Sequence, residues 1–351
     1  MNLTTTPIKI GVLYDFPQGD NGATFERALR LGLEDAANAV PLDRPVEFIA
    51  SQARGLPIGS EHEVIVAFKA LAAEGVLAIV GPSISDNCLI AAPCADVARV
   101  PSINYSGGEM TRSKWMFHYQ LGSLEEEPVV LAERLAQRGL RRPAVLYDQS
   151  PVGHRYFDRF DAARRRNGLD LAAASSIPTL AEDLSATVSQ LRESQADSLA
   201  YFGLGMSSHA VAIAMSSLGW NIPVVANSAL MFGYIRPEWH DAWAGWEYID
   251  QVSDNNQQRQ RLALLDARIA SGPIGCTAFD IGRLLGTALG SCEHLTRAGI
   301  ATALRNVKRL QATTGHDGTL MGFGNYDHAA LKGDYLVVRE WKNGSSKQVT
   351  I

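Results

Sequence analysis

Long apolar runs are missing from this sequence of 351 residues. The longest candidate, Gly75 to Val80, is strand-sized and bounded by glycine, far short of the roughly 20 residues that span a bilayer. A strong charge of either sign is missing too. The 32 Lys and Arg against 37 Asp and Glu give 32 − 37 = −5, which leaves no electrostatic footprint for nucleic acid. Cysteines number only four, Cys88, Cys94, Cys276 and Cys292, with no CxxC or Cys/His zinc spacing. Cys88 and Cys94 would lie about 240° apart on one helix and cannot easily bridge. Free buried thiols are expected, and they favour a reducing compartment. Met1 to Pro7 carries neither a basic segment nor an apolar one, so no secretory signal is read there. A periplasmic or extracytoplasmic location is expected if a signal was removed, a cytoplasmic one if Met1 is the native start.

Catalytic motifs are absent as well. There is no GxxxxGK[ST] phosphate loop. Gly203-Leu204-Gly205-Met206-Ser207-Ser208 resembles a dinucleotide fingerprint but lacks its third glycine and the acid about 20 residues on. Gly81-Pro82-Ser83-Ile84-Ser85 places serine after a strand like a nucleophile elbow, without the closing glycine. The eight histidines form no HExxH or HxH pair and are expected at the surface or in caps. Glu125-Glu126-Glu127 follows Ser123 at a helix start, where the helix dipole accounts for it. The expectation is a binding protein, not an enzyme, with no metal and no cofactor.

What is present is alternation. At 46% hydrophobic and 20% charged residues the chain is ordinary globular material, long enough for two domains. Strands are expected at 8–14, 45–49, 76–80 and 101–104, with helices at 22–38, 60–74 and 85–98 between them. The pattern restarts with a helix at 125–138. Strands at 143–147, 171–176, 198–202 and 222–226 then alternate with helices at 153–167, 183–194 and 207–218. Arg164-Arg165-Arg166 reads as a solvated face. Repeated βαβ units imply parallel sheets covered on both sides. After residue 250 come helices at 255–270, 277–294 and 300–310 without strands between them, which suits covering an earlier sheet. Short strands at 320–323 and 335–339 close the chain. The fold class is therefore α/β, as two doubly wound lobes with a ligand cleft between them.

In such lobes ligands sit outside the carboxyl ends of the strands. The loops there run 15–21, 81–87, 104–110, 148–154, 203–208 and 227–233. Ser85, at or near a helix N-cap, joins Ser106 and the N–H groups of Gly107 and Gly108 as a carboxylate or carbonyl receptor. Ser83, Asn104 and Gln18 belong to the same loops. Phe16, Tyr105, Met206 and Met231 offer apolar contact, as do Trp239, Trp243, Trp246 and Tyr248. Gly203, His154 and Asn227 complete the candidate set from the second lobe.

At these residues the chain resembles the type I periplasmic solute-binding proteins, in the leucine/isoleucine/valine-binding branch of ABC transporter substrate-binding proteins. The matching segments are Ile8–Val12, Val80-Gly81-Pro82-Ser83-Ile84-Ser85, Val100–Ile103 with its loop to Thr111, and Tyr201-Phe202-Gly203. Phe279–Leu285 and Asp334–Val338 resemble the return helix and terminal strand, so the resemblance covers nearly the whole chain. It implies a Venus-flytrap of two doubly wound parallel-sheet lobes joined by a three-strand hinge. Lobe 1 would be 1–121 plus 252–323 and lobe 2 would be 122–251 plus 324–351.

In the amino-acid binders of this branch a serine after the Gly-Pro turn and a small-residue loop hold the α-carboxylate; Ser85, Ser106 and Gly107 match those positions. A carboxylate of the second lobe pairs with the ammonium, but the matching loop, Ala226–Met231, contains no acid. Val152-Gly153 stands where the branch has Tyr-Gly, and Gly205-Met206 where it has an aromatic residue. An unpaired buried ammonium costs several kcal/mol. The ligand expected is therefore a small molecule with a carboxylate or carbonyl head and an apolar or aromatic body. The resemblance implies ABC permease subunits as partners if the protein is exported, and a monomer or weak dimer. The alternatives are a cytosolic amide-sensor-like regulator on the same fold and a branched-chain amino acid binder.

Overall fold

The computed structural model describes residues 6–16, 21–39 and 41–349. The chain divides into two compact units, Met1–Leu121 with Asn255–Tyr335 and Gly122–Asp254 with Leu336–Ile351. Three connections therefore link the units in sequence.

The first unit begins β1 Ile8–Tyr14, α1 Asn21–Ala37, β2 Val46–Gln52, α2 Glu61–Ala73, β3 Ala78–Val80, α3 Ser85–Ala98, β4 Ser102–Asn104 and β5 Met116–His118. The strands form a parallel sheet in the order β2-β1-β3-β4-β5. β1 is an inner strand, paired with β2 and β3, and Ile8, Ile10, Val12 and Leu13 are buried, as a strand covered on both faces requires. Leu13, Val64, Phe68, Leu71, Ile79 and Met116 make up one core layer, each buried side chain worth roughly 1.5–3 kcal/mol. The strand β5 went unrecognised in sequence because its three residues carry no alternation and no bounding turn.

The second unit contains α4 Glu127–Gln137, β6 Pro143–Asp148, α5 Pro151–Arg166, β7 Ala173–Ile177, α6 Ser185–Glu193, β8 Ser198–Phe202, α7 Ser208–Ser217, β9 Val224–Ala226 and β10 Glu247–Asp250. The chain then returns to the first unit through α8 Gln257–Leu265, α9 Pro273–Gly290, α10 Arg297–Asn306 and a small antiparallel sheet of β11 Leu310–Gln311, β12 Leu320–Met321 and β13 Leu331–Lys332. It ends in the second unit with β14 Val337–Lys342 and β15 Ser345–Gln348. The second sheet runs β15-β14-β10-β9-β8-β6-β7, antiparallel at the β15-β14-β10 edge and parallel elsewhere.

The return helix α9 packs on α1 by backbone approach. A Cβ at Gly32 would lie 2.0 Å from the Phe279 carbonyl oxygen, and one at Gly282 would lie 2.3 Å from that of Leu29. Glycine at both positions is what lets the helices touch.

Several expectations are corrected. The helix expected over 255–270 breaks at Asp266, whose carboxylate accepts from the N–H groups of Arg268 and Ile269 and starts a separate turn. Residues 324–335 lie with the first unit: Leu331 N–H donates to Gln120 Oε1, Ala330 N–H donates to the His118 carbonyl, and β13 pairs with β12. Trp243, Trp246 and Tyr248, expected as ligand contacts, are buried in the core of the second unit with Trp341. Arg165 and Arg166 are exposed, but Arg164 folds back onto Asp161 and the Leu169 carbonyl. The four cysteines are free; Cys88 and Cys276 are buried, whereas Cys94 and Cys292 are half-buried.

Candidate functional site

In the first unit the loop leaving β3 is tied to the end of β1 by Asp15, the residue after β1. Its Oδ1 accepts from Ser83 N–H at 2.9 Å and Ser83 Oγ at 2.7 Å; its Oδ2 accepts from Ile84 N–H at 2.9 Å and Asn87 Nδ2 at 3.0 Å. Burial pushes the Asp15 carboxyl up from the usual carboxylate range, against these donors, which favour the anion. Asp15 therefore satisfies the N-terminus of α3, where the sequence put Ser85 at or near the N-cap. The Ser83 hydroxyl proton is committed to Asp15, and Ser85 is the first residue of the helix, with Ile84 at the N-cap and no capping bond from a side chain.

That leaves Ser85 available. It is almost buried, and among the described residues its Oγ makes no hydrogen bond. A Cβ placed on Gly108 would stand 3.5 Å from Ser85 Oγ, so the two loops are neighbours. Across from it, Ser106 Oγ donates to Asn104 Oδ1 at 2.9 Å, and Asn104 Nδ2 donates to the Phe117 carbonyl. Thr111 Oγ1 closes the turn on the Gly108 carbonyl at 2.6 Å. The N–H groups of Gly107 and Gly108 make no hydrogen bond among the described residues. The available donors are thus Ser85 Oγ and these two amides, while Ser83, Asn104 and Ser106 hold the loops. Tyr105 is buried and stacked on Phe25 at 4.9 Å, and its N–H donates to the Pro82 carbonyl. Phe16 is half-buried, its carbonyl accepting from Gln52 Nε2. Gln18 lies outside the described residues.

His118 supports this loop from behind. Its Nε2 is 2.7 Å from the Ser106 carbonyl, and its Nδ1 accepts from Arg112 Nε at 3.1 Å. Burial, then the neighbouring Arg112 charge, pulls its pKa down to about 3. The ring is neutral with its proton on Nε2. His118 and His328 are buried, contrary to the expectation of surface histidines, because each is enclosed by elements distant in sequence.

The second unit repeats the device. Asp148, the last residue of β6, is fully buried, and its Oδ2 accepts from Leu204 N–H at 2.8 Å. A Cβ on Gly203 would lie 2.3 Å from the Asp148 carboxyl carbon, so only glycine fits. Asn227 binds Gly203 in both directions, accepting at 3.2 Å and donating at 2.9 Å. Its amide is therefore spent on joining the ends of β8 and β9. Met206 and Met231 are half-buried on these loops, with Leu204 and Phe232 beside them in sequence half-buried too. His154 is exposed and sets its ring edge-to-face with Tyr147 at 5.3 Å.

Glu127 opens α4, as expected, but the helix start does not account for it fully, because it is completely buried. Its Oε1 accepts from Ser123 N–H at 2.5 Å and from the Tyr156 hydroxyl at 3.3 Å; its Oε2 accepts from Ser228 N–H at 2.7 Å. Burial, opposed by these donors, pushes its pKa up to about 7. The loop after β9 contains no acid of its own, yet an acid lies beneath it with both oxygens engaged. Glu125, two residues earlier, pairs with Arg155 at 2.6 Å.

The correspondence of Asp15 and Asp148 is written in the sequence. Val12-Leu13-Tyr14-Asp15 and Val145-Leu146-Tyr147-Asp148 are the same four residues. Both end the second strand in their neighbour order, β2-β1-β3 and β7-β6-β8. Both carboxylates tie down the loop of the strand alongside.

In each unit, acid-anchored loops at the carboxyl ends of parallel strands suit small-molecule binding. A family model described as periplasmic binding protein matches residues 7–345. The chain belongs to that family. Its members are solute-binding proteins, not enzymes. A comparison with curated proteins found no match. Solved structures share the type I fold of this family. A type 1 periplasmic binding protein of Bordetella pertussis is 18% identical, with TM-score 0.83, over 99% of this chain and 100% of the other. The leucine-binding protein LivK of Thermotoga maritima is 19% identical, with TM-score 0.81, over 98% of each chain. An ABC transporter solute-binding protein of Rhodopseudomonas palustris, solved with 3,4-dihydroxybenzoic acid, is 15% identical, with TM-score 0.79, over 98% of this chain and 96% of the other. Among the described residues no helix is long and apolar enough to cross a membrane, and no cluster of His, Cys, Asp or Glu is arranged to hold a metal.

Proposed function

We propose that the protein is the solute receptor of an ABC importer. Its ligand in this reading is a small organic molecule with a carboxylate or carbonyl head and an apolar or aromatic body. The observation that carries the reading is how donors and acids are disposed at the strand ends. In the first unit Ser85 Oγ and the Gly107 and Gly108 amides are unspent donors, suited to an oxygen head group. In the second unit the acids are engaged inward: Asp148 on Leu204, Glu127 on Ser123, Tyr156 and Ser228, and Glu125 on Arg155. The half-buried side chains there are Leu204, Met206, Met231 and Phe232. Each of these acids already serves a backbone or side-chain partner of its own unit, which disfavours an ammonium, whereas an apolar body would find contact.

The ligands named with the structural relatives, leucine and 3,4-dihydroxybenzoic acid, share a carboxylate, which supports the head-group half of the reading. Isothermal titration with 3,4-dihydroxybenzoic acid, a medium-chain fatty acid and leucine tests the other half. Binding of the first or second with leucine silent is expected. Tight leucine binding with both acids silent overturns it and favours the branched-chain amino acid reading. Ligand binding also raises the melting temperature by mass action, so a wider library can be screened in the same way. The extracytoplasmic location and permease partnership typical of the family are part of the proposal. Cell fractionation tests the first, and loss of uptake of the bound solute on gene deletion tests the second.

A further inference from the structure

Within the first unit, away from Ser85 and the glycine amides, is a separate cavity of about 550 Å³. Arg112, Lys114, Arg305, Asn325, Asp327 and His328 are among its lining residues. Three of these are cations and one is an acid, a balance of 3 − 1 = +2. The acid, Asp327, is itself ion-paired with Lys332.

The two arginines are held in the same way. Arg112 Nε donates to His118 Nδ1, and His118 Nε2 lies 2.7 Å from the Ser106 carbonyl. Arg305 Nε donates to His328 Nε2 at 3.4 Å, and His328 Nδ1 lies 2.6 Å from the Ser113 carbonyl. In each module a neutral imidazole accepts from the arginine and gives its own proton to the backbone. Arg305 is further fixed by donating to the Lys114 carbonyl at 2.6 Å and by lying 5.5 Å above the Phe117 ring. Arg112 makes no ion pair within 4 Å among the described residues, and its two terminal nitrogens make no hydrogen bond there, although its charge, with that of Lys332, helps hold the Asp327 carboxyl below its usual range.

Three cations around a hollow that holds one acid, itself shared with Lys332, leave a positive excess that a further anion relieves. Arginines already ordered by the fold lose little further freedom on binding one. The planar guanidinium fork matches an oxyanion through paired N–H groups. We propose that this cavity is a second binding site, for a small doubly charged oxyanion of the phosphate type.

Titration calorimetry with inorganic phosphate at low ionic strength tests it, with chloride at matched ionic strength as the control. Saturable binding is expected for phosphate and not for chloride. Arg112→Gln or Arg305→Gln should weaken it by about tenfold, the worth of one charge-assisted hydrogen bond. Lys114→Ala changes an exposed side chain, so it should keep the wild-type melting temperature and still weaken phosphate binding several-fold. No saturable heat at millimolar phosphate overturns the proposal, as does wild-type affinity in all three variants. A second arm uses phosphatidic acid vesicles. Flotation with vesicles that Arg112→Gln abolishes assigns the oxyanion to a headgroup; phosphate binding without flotation assigns it to a free solute. Neither arm depends on the ligand proposed above, so the two readings fail separately.

Discussion

Replacing Glu127 with glutamine removes one buried titration from the second unit. The carboxyl ordinarily titrates at 4.5 and in the fold at about 7. A carboxyl with a raised folded pKa holds its proton more tightly in the folded state. Its contribution to stability is full below 4.5 and is lost as pH rises through about 7. At about 1.4 kcal/mol per pH unit, that interval corresponds to roughly 3 kcal/mol of stability lost between the two limits. The Tyr156 hydroxyl, 3.3 Å away, can turn to accept the proton when the carboxyl is neutral. Glutamine does not titrate. It keeps one acceptor oxygen but turns an amide N–H₂ toward either Ser123 or Ser228 N–H, a cost of about 1–3 kcal/mol that does not vary with pH.

The wild-type profile alone would not isolate Glu127, because His118 runs the other way. Its pKa is lowered from 6.5 to about 3, first by burial and then by Arg112, so its contribution is present above 6.5 and is lost as pH falls. Subtracting the two proteins cancels His118. Urea unfolding at a series of pH values from below 4.5 to above 7 should show Glu127→Gln gaining roughly 3 kcal/mol relative to wild type as pH rises. Parallel stability curves across that range would refute the burial argument for Glu127.

Asp15→Ala strands the donors of Ser83, Ile84 and Asn87 around a buried site, so urea unfolding should show a loss of about 3 kcal/mol; a loss near zero would mean water replaces the carboxylate. Gly203→Ala pushes a methyl group against the Asp148 carboxyl carbon at 2.3 Å, and overpacking of this kind costs about 1–3 kcal/mol, visible as a lower melting temperature. Ser85→Ala removes a hydroxyl with no partner among the described residues, so stability should hold within about 0.5 kcal/mol while affinity for an acid ligand falls roughly tenfold; unchanged affinity in calorimetry removes Ser85 from the site.

What could be read in the sequence follows from the range of the interactions involved. The βαβ rhythm is local: Ile8–Tyr14, Ser198–Phe202 and the helices between strands have hydrophobic periods that need no partner to be recognised. Strands β5 and β10 lack that signal, since Met116-Phe117-His118 is too short to alternate and Glu247-Tyr248-Ile249-Asp250 is polar at both ends. The small-residue loops were legible because topology alone puts them at the strand ends.

Their supports were not, because each acts across the chain: Asp15 reaches 68 residues to Ser83, Asp148 reaches 56 to Leu204, and Glu127 reaches 101 to Ser228. A one-dimensional reading sees such acids as strand ends or helix starts. The repeated Val-Leu-Tyr-Asp is the exception, a local mark of a distant role, since the same tetrapeptide in the same place of two βαβ units needs one cause. That cause is the loop beside each strand, which would leave amide N–H groups unpaired without a buried carboxylate at its base. The polar residues that look most like a site, Ser83, Ser106 and Asn227, have their side chains engaged within the protein, and the proposed ligand contacts are therefore the donors that this network does not use.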